Sequence, residues 1–239
     1  MAQLSPLLVV VLALALASYA PQPPRTGGLP TPSLAKAPSI TGAIPNGQPA
    51  AFRYWLTQKP DRMAEFQAFE RFLVREKVDG ILPTWSLLWV DRHYASQKCP
   101  TEPFVLPPQD QWPKLIPTLK VIRDKVQPAI GPVEVVSGYR TASFNACMGG
   151  APRSAHLQFG ALDLIPVTPF KAKHEPFLSL CRMWRQSPTS EGMGLGAYYD
   201  ADDTRINGRQ RFHIDTFGKR TWGFGYGSKT SFWLDTRSQ

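Results

Sequence analysis

The chain has 239 residues with 43% hydrophobic and 11% aromatic content, enough for one packed domain plus tails. Its formal net charge of +9 points either to an anionic partner or surface or, equally, to a basic surface that only aids solubility. Lys and Arg are spread along the chain without a block and without an interleaved aromatic pattern, which argues against a nucleic-acid-binding module.

The first twenty residues differ from the rest. Leu7 to Ala17 is an apolar run, too short for a membrane span of about 20 residues but suited to the core of a signal peptide. Ala15 and Ala17 are placed as an A-x-A cleavage site, whereas the preceding segment has no Lys or Arg, so residues 1–20 read as a signal peptide or an uncleaved N-terminal anchor. Residues 21–50 hold prolines at 21, 23, 24, 30, 32, 38, 45 and 49 and almost no large side chains, the composition of an extended linker that cannot build a core. The folded domain is expected over 51–239. Export implies a periplasmic or secreted location and anionic cell-wall polymer rather than nucleic acid as partner. Any membrane contact would run only through an uncleaved N-terminal segment, and the domain is expected to be a monomer.

In chain order, the first helix is expected over 62–78, with Asp61 as N-cap and Phe66, Phe69 and Leu73 on one stripe. A second is expected over 114–131, where Leu115, Leu119, Ile122 and Val126 form the buried stripe. Residues 133–140 read as a short strand ending in a turn, and 142–148 as a short helix stopped by Gly149 and Gly150. A strand over 161–167, a helix entered at Thr168 and Pro169, a glycine-rich segment over 191–200 and a strand over 211–217 complete the series. Helices first and strands later, without regular alternation, imply an α+β fold with an antiparallel sheet. The cysteines lack C-x-x-C spacing. Cys99 and Cys147, each beside loop signals, are the candidate disulfide, and Cys181, in an apolar helical segment, is the expected buried free thiol.

Asp163 stands in an otherwise apolar strand. A carboxylate buried there needs a strong partner, either a hydrogen-bonded cation or a metal ion. Strand alternation puts His213 and Asp215 on one face, opposite Phe212 and Ile214. His93 and His174 lie in charged contexts and read as surface or loop residues, which leaves His156 and His213 to join Asp163. Two nitrogens and one oxygen are a common protein ligand set for catalytic zinc. The competing arrangement pairs Asp163 with an arginine such as Arg140 and leaves His156 to cap a loop.

The ordered motifs Ser137 to Arg140, then Ser154, His156 and Asp163, then His213 and Asp215 behind a glycine-rich segment, resemble the zinc D-alanyl-D-alanine carboxypeptidase family, peptidase family M15. The resemblance spans 133–222. It implies a hedgehog/DD-peptidase-like fold, zinc held by His156, Asp163 and His213, and hydrolysis of peptidoglycan stem peptides by a carboxypeptidase or endopeptidase. It also assigns Arg140 to the carbonyl oxygen or the substrate carboxylate, and Ser154 to substrate contact or to holding the ligand loop. Tyr139 reads as packing. Many members carry an acidic general base three residues before the second zinc histidine, where this chain has Gln210, and an amide cannot accept the proton. Asp215 is the expected substitute, with orientation of a ligand imidazole as its other reading. Failing Asp215, the nearby acids are Glu191, Asp200, Asp202 and Asp203. A zinc-containing wall-binding module without turnover is the alternative function.

Overall fold

The computed structural model describes residues 49–92, 98–170, 174–198 and 211–223. The expected leader, most of the expected linker, His93, Gln210, Asp200, Asp202 and Asp203 lie outside these described residues.

Helix α1 (Ala50–Thr57), which periodicity did not announce, follows the extended Pro49 and buries Phe52, Trp55 and Leu56. Helix α2 (Arg62–Arg75) buries the expected Phe66, Phe69 and Leu73, together with Phe72. Asp61 precedes it but makes no side-chain cap, because its backbone is already helical (φ −86°, ψ −16°). A capping side chain needs an extended backbone to reach back to the first turn.

The second expected helix is a jointed rod. A 3₁₀ segment (Gln109–Leu115) runs into α3 (Ile116–Val121), a π turn (Ile122–Val126) and α4 (Gln127–Ile130). Pro128 has no N–H for the Asp124 carbonyl, so the regular ladder cannot continue through this point. The stripe survives the joints: Leu115, Leu119, Ile122 and Val126 are fully buried.

Strands β1 (Val133–Ser137), β2 (Ala161–Pro166), β3 (Gly194–Ala197), β4 (Phe212–Asp215) and β5 (Arg220–Trp222) form one sheet in the order β1-β2-β4-β3-β5. The sheet is mixed rather than antiparallel, since β3 and β5 run parallel. The cause is the short connection after β4. It reverses the chain and delivers β5 to the far side of β3, and β3 already runs opposite to β4. Helix α5 (Ala142–Cys147) is capped by Thr141, whose hydroxyl accepts from Phe144 N. Helix α6 begins at Glu175 rather than at Thr168, with Pro176 in its first turn, where its missing N–H costs nothing.

Leu162, Leu164, Phe212 and Ile214 are fully buried on one face of the sheet and join the helices in a single apolar core. Burial of each stabilises the fold by about 1.5–3 kcal/mol. The other face carries the polar residues: Asp163 is opposite both Ser137 and His213 in register, and Asp215 is opposite Ala161. A disulfide joins Cys99 to Cys147, as expected, and ties the end of α5 to the segment before β1. Cys181 is a buried free thiol, and burial pushes its pKa far up.

Candidate metal centre

Three chain segments bring the site together. After β1 the chain passes so close to Leu87 that a Cβ on Gly138 would lie 2.2 Å from the Leu87 carbonyl oxygen. Glycine at this point lets the turn present its own carbonyl to His156, whose Nδ1–H donates to Gly138 O at 2.6 Å. Ser154 caps the 3₁₀ turn Ala155–Gln158, its hydroxyl accepting from His156 N at 3.4 Å, and Arg140 N donates to His156 O. Ser154 is therefore a turn-forming residue that also borders the pocket. β2 and β4 then set Asp163 and His213 side by side.

His156, Asp163 and His213 are 2%, 2% and 5% exposed. His156 Nε2 lies 3.2 Å from Asp163 Oδ1 and 3.1 Å from His213 Nδ1, and His213 Nδ1 lies 2.9 Å from Asp163 Oδ1. The outward nitrogen of each ring is engaged as a donor, His156 Nδ1 to Gly138 O and His213 Nε2 to Asp215 Oδ2 at 2.9 Å. The inward nitrogens of the neutral rings thus present lone pairs, which converge with a carboxylate oxygen and have no donor between them. That donor set fits a zinc ion, and the anchored outer nitrogens are the partners a zinc-binding histidine uses.

The arginine pairing expected from sequence is present and leaves the other Asp163 oxygen to the imidazoles. Arg140 Nη2 donates to Asp163 Oδ2 at 2.7 Å and its Nε donates to Ser137 Oγ at 2.9 Å, so Asp163 meets a cation with one oxygen and the imidazoles with the other. Arg211 adds a second charge at 3.5 Å from Oδ2. Burial by itself would push the Asp163 carboxyl up, but His156, Arg211 and Arg140 together hold it well below the usual range.

Burial, reinforced by Arg140, lowers the His156 pKa to about 4 against the pull of Asp163. Burial also lowers that of His213, but hydrogen bonds to Asp163 and Asp215 outweigh it and the net shift is upward. The unfolded chain therefore takes up a proton on His156 below its ordinary 6.5 that the fold refuses until about 4. His213 has the opposite sign: its contribution is complete below 6.5 and is lost as pH rises through its raised value. Thermal midpoints measured in chelator should fall from pH 6.5 toward 4, and His156→Gln should flatten that limb. A midpoint that stays level across this window in the unsubstituted protein would refute the assignment.

A pocket of about 310 Å³ opens onto the trio and is bordered by Arg140, Arg153, Arg211, Arg220, Tyr198 and Trp222. Asp163 is the one carboxylate bordering it among the described residues. Asp215 is fully buried, on the far edge of His213 from Asp163. Its Oδ1 accepts from Phe217 N at 2.8 Å and Arg220 Nη1 at 3.0 Å, and its Oδ2 from His213 and from Arg220 Nη2 at 2.7 Å. A carboxylate so engaged is built to orient His213, and the expectation that it is the general base draws no support from this geometry. Glu191 pairs with Lys125 at 2.7 Å and does not border the pocket. His174 is exposed at the start of α6, and Tyr139 packs on Phe159, as expected.

Arg220, Tyr198 and Trp222 escaped sequence reading. β5 is three residues long and has no apolar alternation to reveal it. The signal that bears on it is the glycine pair of β3. A Cβ on Gly194 would lie 2.7 Å from both Asp215 carboxylate oxygens, and one on Gly196 would lie 2.8 Å from the Trp222 ring.

Two imidazole nitrogens and one carboxylate oxygen beside an open pocket are a donor set that could hold a metal ion, the number of protein ligands that leaves a catalytic zinc one position for chemistry. The Peptidase M15 family model matches residues 90–204, a little under half of the chain, and this stretch is similar to that family of zinc-dependent peptidases. The matched stretch includes His156 and Asp163 and ends before β4, so His213 enters the centre through the fold. Comparison with the curated proteins and with the solved structures returned no match.

Proposed function

We propose that the protein is a zinc-dependent hydrolase of peptidoglycan stem peptides, a D-Ala-D-Ala carboxypeptidase or an endopeptidase, built on a hedgehog/DD-peptidase-like fold. The convergence of His156 Nε2, Asp163 Oδ1 and His213 Nδ1 at the base of an arginine-rimmed pocket carries this reading. Zinc bound there supplies Lewis-acid polarisation of the scissile carbonyl and a water acidified toward neutral pH. Arg140 fixes the Asp163 carboxylate and borders the pocket. There it balances charge developing on the carbonyl oxygen or holds a substrate carboxylate. Ser154, which also borders the pocket, contacts substrate. The N-terminal apolar run and proline-rich linker fit an exported, monomeric domain that reaches wall substrate in the periplasm or outside the cell, with no role in nucleic-acid binding.

The absence of a second pocket carboxylate among the described residues favours one other reading, a zinc-containing wall-binding module without turnover. Metal-loaded protein incubated with purified muropeptides separates the two, with products read by mass. Release of D-Ala or of a new amine supports the peptidase. Muropeptides retained by the protein and recovered intact would support the module.

A further inference from the structure

Arg220 is the least expected member of the pocket wall, and four observations connect it to the metal centre. Its guanidinium meets Asp215 with both prongs, at 3.0 and 2.7 Å, in the parallel geometry that only arginine provides. Asp215 in turn accepts from His213 Nε2 at 2.9 Å, on the ring edge opposite the nitrogen that faces His156 and Asp163. The guanidinium carbon lies 4.9 Å from the centre of the Trp222 ring, and that ring stands 5.1 Å from the His213 ring. Gly194 leaves the space for this contact, since a Cβ there would lie 2.9 Å from Arg220 Nη1 and 2.7 Å from the Asp215 oxygens.

We infer that Arg220 is a positioning residue of the metal centre, a clamp that holds Asp215 in one rotamer and thereby fixes the His213 ring with Nδ1 toward the metal. Without the two prongs, Asp215 keeps, among the described residues, the donors Phe217 N and His213, and its carboxylate plane is free to turn. His213 would then lose the acceptor that sets its tautomer. Arg220 also borders the substrate pocket with a side chain 44% exposed, so an anionic group of a bound substrate that draws on this guanidinium would be sensed at the metal through Asp215. The inference rests on the zinc-site reading but not on which peptide bond is cut.

The test uses the full chain and its Arg220→Met, Asp215→Asn and doubly substituted forms. Zinc affinity is measured by chelator competition, and ligand geometry by the visible absorption of the cobalt(II)-substituted protein. Loss of an outer partner of a metal ligand typically costs about 10- to 100-fold in affinity. Arg220→Met should fall in that range and alter the cobalt spectrum, whereas adding it to Asp215→Asn should cost little more. Unchanged affinity and spectrum in Arg220→Met would overturn the clamp, as would an equal loss in both backgrounds. Should Arg220→Met fail to fold, Arg220→Lys decides. It keeps the charge but cannot form the fork, so an intermediate loss upholds the clamp and a value equal to the unsubstituted protein overturns it. If the unsubstituted protein itself binds neither metal, the zinc-site reading fails along with the clamp, an outcome visible before any variant is read.

Discussion

Alanine at position 156 or 213 should abolish stoichiometric zinc binding. Each histidine supplies one of the three converging ligand atoms, and no other described His, Cys, Asp or Glu side chain stands ready to replace it. The loss should exceed the roughly 10- to 100-fold that follows from removing an outer partner, because a bond to the metal itself disappears. Asp163→Ala should be worse for the fold than either. It removes the ligand oxygen and leaves Arg140, whose side chain is 12% exposed, without its carboxylate. A partly buried charge stripped of its partner is costly, so the thermal midpoint should drop even in chelator. Metal analysis of the purified variants reads the first effect and calorimetry the second. Full zinc occupancy in His156→Ala or His213→Ala would remove that histidine from the ligand set.

Asp215→Asn should fail in metal affinity rather than in proton transfer. The carboxylate that sequence marked as the substitute base is saturated by His213, Phe217 N and Arg220 and is buried on the far edge of a ligand ring. Weakening of zinc binding by about 10- to 100-fold is expected, with much of the turnover restored at saturating zinc. The base itself should then be sought among Asp200, Asp202 and Asp203, and substitution of each by asparagine should single out one. That variant should keep zinc while its kcat falls by about a hundredfold to ten-thousandfold, the ordinary cost of removing a general base. Glu191 is set aside by its pairing with Lys125. If Asp215→Asn retains zinc at full affinity and still loses turnover at saturating metal, Asp215 is restored as the base and its orienting role is refuted.

Much of the centre was legible in the chain because its signals are local. A carboxylate inside an apolar strand and two polar residues two apart on another strand are period-two patterns, and the geometry of a strand carries such patterns directly into space. Asp163, His213 and Asp215 accordingly share one sheet face, with Phe212 and Ile214 on the other. The buried stripes of α2 and of the jointed rod followed from helical period, and the pairing of Cys99 with Cys147 from their loop contexts.

Tertiary structure alone decided what each polar atom does. Residue spacing puts Asp215 beside His213, but only the return of β5 alongside β3 brings Arg220 onto that carboxylate. Asp163 likewise was expected to choose between arginine and metal, whereas the fold gives one oxygen to Arg140 and turns the other to the two imidazoles. The parallel β3–β5 pair, the late start of α6 and the uncapped start of α2 depend on chain reversals and backbone angles that no side-chain period records. Hydropathy fixes which way a strand faces, because burial acts on each residue separately. The partner of a buried charge is fixed by which distant segments meet, and that is a property of the whole fold.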